Sequence, residues 1–116
     1  MQRGDIVWVD LDPVRGTEAN KVRPAVVVSN DGANRTARRL GRGVLTVVPV
    51  TTNVHRVHPF QVLLPADRCG LTVTSKAQAE QIRSVSVDRV GDLAGRLPAD
   101  LGGDLDAAIR LHLALA

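Results

Sequence analysis

The sequence predicts a mainly β chain with helices added (α+β): short strands bent into a small, strongly curved sheet or barrel, one short internal helix and a C-terminal helix. Three observations carry this. Short β-branched runs recur along the 116 residues, separated by Gly, Pro, Asn and Asp turn signals. Asn34 precedes a cationic stretch that stops at Gly41, a cap at each end of a short helix. Leu101, Leu105, Ile109 and Leu113 recur four apart, one apolar stripe of a terminal helix.

In chain order, Ile6 to Leu11 is apolar on both alternating faces and reads as a strand. Residues 12–20, polar with Pro13 and Gly16, read as a loop. Pro24 to Ser29 is a second strand, and its Ala-Val-Val-Val run suits burial on both faces. Residues 30–34 form a turn, and Arg35, Arg38, Arg39 and Arg42 make the helix after it strongly cationic. Val44 to Val50 is a third strand. Pro49 has no amide hydrogen, so it belongs at an edge, a bulge or a strand end. Phe60 to Leu64, Val73 to Ala77, Gln81 to Val87 and Leu93 to Leu97 are further strands. Pro98 to Leu115 reads as the terminal helix, with Asp100, Asp104 and Asp106 early and Arg110 and His112 late, as the helix dipole favours. Gly102 and Gly103, each costing about 1 kcal/mol in a helix interior, push its expected start toward Asp104.

Residues 1–116 fit one domain with a modest core. Apolar content of 44% fits a globular protein, and no run approaches the roughly 18 apolar residues of a membrane span. No basic region followed by a long apolar stretch marks a signal peptide. The lone Cys69 has no internal disulfide partner, fits a reducing cytoplasm and reads as a passive small side chain. Residues 1–60 hold nine basic and five acidic groups, a net +4, and residues 61–116 hold six and seven, a net −1. The positive field therefore concentrates in the first half, as a polyanion partner requires. Thirteen arginines against two lysines also fit a compositional bias with no partner at all.

Two segments join a β-branched run to polar groups at one end: Lys21–Asn30, with Arg23 at its start, and Val47–Asn53, with Thr51 where the run stops. Adjacent strands bring such a guanidinium and hydroxyl together as a receptor for a phosphodiester. Arg23 stays cationic at any relevant pH, and Pro24 restricts its backbone to extended conformations. Cutting RNA through its own 2′-hydroxyl needs the phosphate held for in-line attack and its equatorial oxygens stabilised. Arg23 and Thr51 suit those tasks. Thr52 points to the opposite face of a continuing strand, so one threonine serves.

Arg23-Pro24-Ala25-Val26-Val27 and Val48-Pro49-Val50-Thr51-Thr52, with Gly4–Pro13 before them, closely resemble the MazF/PemK family of toxin endoribonucleases. The likeness covers residues 4 to about 92 well and the last 24 mainly in pattern. It implies the SH3-like barrel shared by MazF, PemK and CcdB toxins. It also implies sequence-specific cleavage of single-stranded RNA without metal or cofactor, leaving a 2′,3′-cyclic phosphate and a 5′-hydroxyl, with Arg23 and Thr51 as the catalytic pair. It further implies a homodimer, silenced by a cognate MazE-like antitoxin whose acidic, disordered tail covers the basic cleft.

By the same resemblance Glu18 lies in a loop that helps cover the site, where it assists proton transfer or only shapes the loop. Ser29, Asn30, Thr52 and Asn53 are base contacts or turn formers. Gln81 and Ser84 lie in a stretch, Glu80–Val85, that touches RNA in the family; they also read as ordinary polar strand residues. A histidine acid–base pair is a rival chemistry, but His55, His58 and His112 carry no positioning pattern and make a poor metal site. One Trp, one Phe and no Tyr build no stacking platform for single strands. Trp8 reads as core or barrel edge. RNA affinity must then rest on phosphate contacts and fall steeply with salt. The alternatives are a non-enzymatic, CcdB-like barrel that traps DNA gyrase, which needs neither Arg23 nor Thr51, and a barrel that holds RNA without cutting it.

Overall fold

A computed structural model describes residues 1–11 and 22–116 of the chain. Its elements run β1 (Asp5–Asp10), β2 (Val22–Val27), α1 (Asp31–Leu40), β3 (Val44–Thr51), β4 (Gln61–Leu64), α2 (Ala66–Cys69), β5 (Ser75–Gln78), β6 (Arg83–Ser86), β7 (Val90–Arg96) and α3 (Ala99–Leu113). Every strand pairing is antiparallel, in the order β4-β5-β3-β2-β1-β7, with β6 also on β3. The α+β expectation holds. Among the described residues, however, no ladder joins β4 to β7, so the curved sheet stays open instead of closing into the expected barrel.

The splitting of β3 organises the sheet. Val44–Val47 pair with β6, whereas Val50 and Thr51 pair with β5. Pro49 falls in the gap between the two partners, where its missing N–H leaves no ladder bond unmade. Because the sheet curls, the central strands bury both faces, as the Ala25–Val27 run demands. One face packs Ile6, Val26, Val48, Val50 and Leu64 against Leu101, Leu105 and Ala108 of α3. The other gathers Val7, Val9, Leu11, Ala25, Val27, Val47 and Val85. Register shifts along the β1–β7 ladder supply part of the bend.

α1 begins four residues earlier than its sequence indicates. Asn30, not Asn34, is the cap, and its side chain accepts from the Ala33 amide at 2.8 Å. Asn34 is almost wholly buried instead. Its Nδ2 donates to the Ser29 carbonyl at 2.9 Å, and the Ser29 hydroxyl donates to its Oδ1. Ser29 Oγ in turn accepts from the Thr46 amide at 3.1 Å, tying β2, α1 and β3 into one polar knot. The Arg3 amide donates to Asp31 at 2.7 Å and holds that carboxyl below the usual carboxylate range. Gly41 ends the helix at φ 65°, as expected.

α3 starts at Ala99, not near Asp104: burial of Leu101 and the bidentate Arg68–Asp100 pair (3.0 and 2.7 Å) outweigh the glycine cost. The apolar stripe is buried at Leu101 and Leu105, partly buried at Ile109 and exposed at Leu113. The short helix α2 has no counterpart in the sequence reading. It is a single turn after Pro65, too brief for a periodic signal.

A Cβ at Gly95 would lie 2.2 Å from the Cys69 carbonyl oxygen, backbone that has nowhere to go, whereas one at Gly102 meets open space. Gly95→Ala should therefore lower the urea midpoint by the equivalent of about 1–3 kcal/mol or more. Gly102→Ala should raise it by about 0.5–1 kcal/mol. Burial pushes the Cys69 thiol up. It stays protonated at pH 8, so iodoacetamide, followed by mass spectrometry, should label Cys69 only after denaturant is added.

Candidate active site

The β2–β3 register runs Ala25↔Pro49, Val26↔Val48 and Val27↔Val47. Carried two positions toward the start of β2, it sets Arg23 against Thr51, and residues opposed in an antiparallel ladder share a face. On the far side of β3, Thr51 is registered with Lys76 of β5. Thr51 and Lys76 are thus paired, and the extended β2–β3 register puts Arg23 in the same cross-strand row. Arg23 is exposed and Thr51 half-buried. The Thr51 hydroxyl accepts from the Asn53 amide at 3.2 Å, which fixes the oxygen and leaves its hydrogen to be donated.

Lys76 is the member that sequence reasoning missed. It is 8% exposed, and its ammonium donates at 2.6 Å to the Arg56 carbonyl in the loop between β3 and β4. A lone lysine in a short polar strand gives no signal of burial; only the β3–β5 register reveals it. The same loop is tied again where the His58 amide donates to Gln61 Oε1 at 3.1 Å and Gln61 Nε2 donates to Glu80 at 2.7 Å. The other Glu80 oxygen is buried without a hydrogen-bond partner among the described residues.

A groove of about 600 Å³ opens beside this row. Arg23 stands at its rim, and Trp8, Pro24, Val50, Leu71 and Val73 line it. Thr52 lines the groove and Thr51 does not, which agrees with the two hydroxyls lying on opposite faces of β3. Trp8, registered with Pro24, is 42% exposed as a groove wall, not buried as core. Its strand alternation points it away from Val7 and Val9, the members of the buried cluster.

The remaining sequence candidates scatter. Asn53 adjoins Thr51, and its Oδ1 accepts from the His55 amide at 3.3 Å. Ser29 and Asn30 sit past the other end of β2, six or more extended residues (roughly 20 Å) from Arg23, and serve the knot and the α1 cap. Ser84 is exposed opposite Thr46, at the β6 end of β3. Gln81 is exposed in the turn between β5 and β6. Glu18 lies outside the described residues. His58 stacks on Phe60 (centroids 5.1 Å apart, planes within 1°), and His112 of α3 reaches the same ring at 6.5 Å. The fold thus gathers two histidines around one phenyl ring. Among the described residues no three His, Cys, Asp or Glu side chains converge as a metal site would require.

Residues 2–113 match the family model of the PemK-like, MazF-like toxins of type II toxin–antitoxin systems. The chain is 62% identical to the endoribonuclease MazF9 of Mycobacterium tuberculosis over 115 residues, covering 99% of this chain and 98% of that one. It is 32% identical to the endoribonuclease EndoA of Bacillus subtilis, over 99% and 96% of the two chains. Among solved structures, MazF of Deinococcus radiodurans superposes with a TM-score of 0.77 at 28% identity, covering 98% of this chain and 96% of that one. A MazE–MazF complex from the same organism gives 0.79 at 26%, over 100% and 97%.

Lys76→Met removes the donor that holds the Arg56 carbonyl. Limited trypsin digestion of this variant should cut after Arg56 several-fold faster than in the wild type; an unchanged rate would mean that the loop is held by its other ties alone.

Proposed function

Since the chain belongs to the PemK-like, MazF-like toxins of type II toxin–antitoxin systems, we propose that it is a toxin endoribonuclease acting on single-stranded RNA in the cytoplasm, with Arg23 and Thr51 as its catalytic pair. The observation that supports the pair is the β2–β3 register, which ends at Ala25↔Pro49 and, extended by two positions, opposes the exposed Arg23 to Thr51, whose hydroxyl oxygen accepts from the Asn53 amide.

The chemistry follows from those two groups. The Arg23 fork takes two non-bridging oxygens of the scissile phosphate, and Thr51 donates to the same phosphate. The RNA's 2′-oxygen loses its proton and bonds to phosphorus, while the P–O5′ bond breaks and the departing oxygen takes up a proton. The products are a 2′,3′-cyclic phosphate and a 5′-hydroxyl. A permanent cation on Arg23 supplies the charge stabilisation that a metal would otherwise give. Lys76 adds positive potential along the same row while its own hydrogen bond goes to the loop. Asn53, whose amide donates to Thr51, is an RNA contact in this reading, and Thr52 meets RNA only from the groove on the opposite face of β3. Ser29 and Asn30, engaged elsewhere, are not. Glu18 remains the candidate for proton transfer.

The protein works as a homodimer and is silenced by a MazE-like antitoxin with an acidic, disordered tail. The MazE–MazF complex among the similar structures supports that partner. The gyrase-trapping alternative gains nothing from the comparisons, whose curated relatives are named as endoribonucleases. No helix of the described residues is long and apolar enough to cross a membrane.

Incubated with a long single-stranded RNA in EDTA, the protein should yield site-specific fragments with 5′-hydroxyl ends. Arg23→Ala and Thr51→Ala should each slow cleavage by about 10²–10³-fold without shifting the melting temperature. Intact RNA, or full activity in both variants, would refute the assignment.

A further inference from the structure

The arginines around α1 have no part in that mechanism. Arg35, Arg38 and Arg39 lie on α1, and Arg42 follows its Gly41 cap. All four are exposed, and no side-chain hydrogen bond or salt bridge engages them among the described residues, though Arg35 acts electrostatically on Asp31 one turn before it. Arg38 borders a groove that Asp88 and Asp92 also line. That leaves Arg39 and, past the cap, Arg42 as the cations of this face, with Arg35 beside them offset only in part by Asp31 one turn before it. Arg42 also edges a shallow hollow with Leu40 and Val44, both more than half exposed. Such a surface, fixed cations around a small apolar floor, suits phosphates flanking riboses and bases.

One feature favours an RNA strand over an acidic peptide. The cations stand on a rigid extension of the strands that carry the proposed catalytic pair, since the Ser29–Asn34–Thr46 knot locks α1 to β2 and β3. From Arg23 to the start of α1 is eight residues, the last of them past the end of β2 with a bend at Ser29, a span of at most roughly 26 Å. A strand stacked at about 3.4 Å per nucleotide spans that in about eight nucleotides, and a stretched one in fewer.

We propose that Arg35, Arg39 and Arg42 form a second, sequence-independent contact for the RNA backbone, several nucleotides from the scissile bond. The proposal rests on the endoribonuclease reading for its substrate, but its test does not depend on cleavage. Fluorescein-labelled 2′-O-methyl-uridine 20-mer and 4-mer, which lack the attacking hydroxyl, are titrated from 50 to 200 mM salt. The probes are offered to the wild type, to the triple variant Arg35→Gln, Arg39→Gln, Arg42→Gln, and to its triple Lys counterpart.

Losing three phosphate contacts should lower the slope of log K against log salt by about 2 for the 20-mer. The ratio of wild-type to Gln-variant affinity should then shrink by about 20-fold across that range. The Lys variant should restore the slope, and the 4-mer should respond equally to all three proteins. An unchanged 20-mer slope in the Gln variant overturns the proposal. So does an equal loss for the 4-mer, and so does weakened binding of poly-glutamate with RNA binding intact, which would assign the face to an acidic protein. Cleavage of a long unmodified RNA is followed in parallel: wild-type fragments decide the activity, and the salt slopes decide the arginine face, so either can fail alone.

Discussion

The antiparallel seating of β2 on β3 is the constraint on which the site depends. A slip of one residue would move Arg23 or Thr51 to the other face and expose valines that now fill two cores. Both strands are buried on both faces, so register is enforced twice over: by Val26 and Val48 against α3 on one side, and by Ala25, Val27 and Val47 on the other. Neither polar group contributes to this alignment. They inherit their positions from apolar neighbours, so a site of few residues can be held well by a small protein.

Much of this was legible in the sequence because the informative residues are punctuation. Pro24 fixes the backbone at Arg23, and Pro49 marks where β3 exchanges partners. Gly41 stops α1 where expected. The resemblance to a known family then joined the two segments. What was not legible depends on long-range burial. Asn34 looks like a helix cap until Ser29 is seen to bury it. Gly102 and Gly103 look like a helix boundary until Leu101 and Asp100 find partners across the fold. Trp8 reads as core or barrel edge, and only the β1–β2 pairing shows it as a groove wall opposite Pro24. Lys76 gave no sign, since its burial is decided by a strand pairing and a loop carbonyl remote in sequence.

The electrostatics divide by location. Arginines at the rim and on α1 are exposed and meet mobile ions, whereas Lys76 is withdrawn from water and satisfied by a backbone oxygen. Exposed cations attract a polyanion at long range in a salt-dependent way; a sheltered one acts locally and is little screened. The chain therefore carries cations that act over two different ranges.

The shared use of β3 has a consequence for synthesis. Thr51 gains its ladder partner, Lys76, only when β5 exists, and Lys76 is encoded 25 residues downstream. While a ribosome is still making the chain, any stretch ending before residue 75 lacks that flank and leaves half of the strand's edge bare. A nascent toxin of this topology cannot complete the row through Thr51 and Lys76 early, so the cell making it meets the finished fold only after most of the polypeptide has emerged.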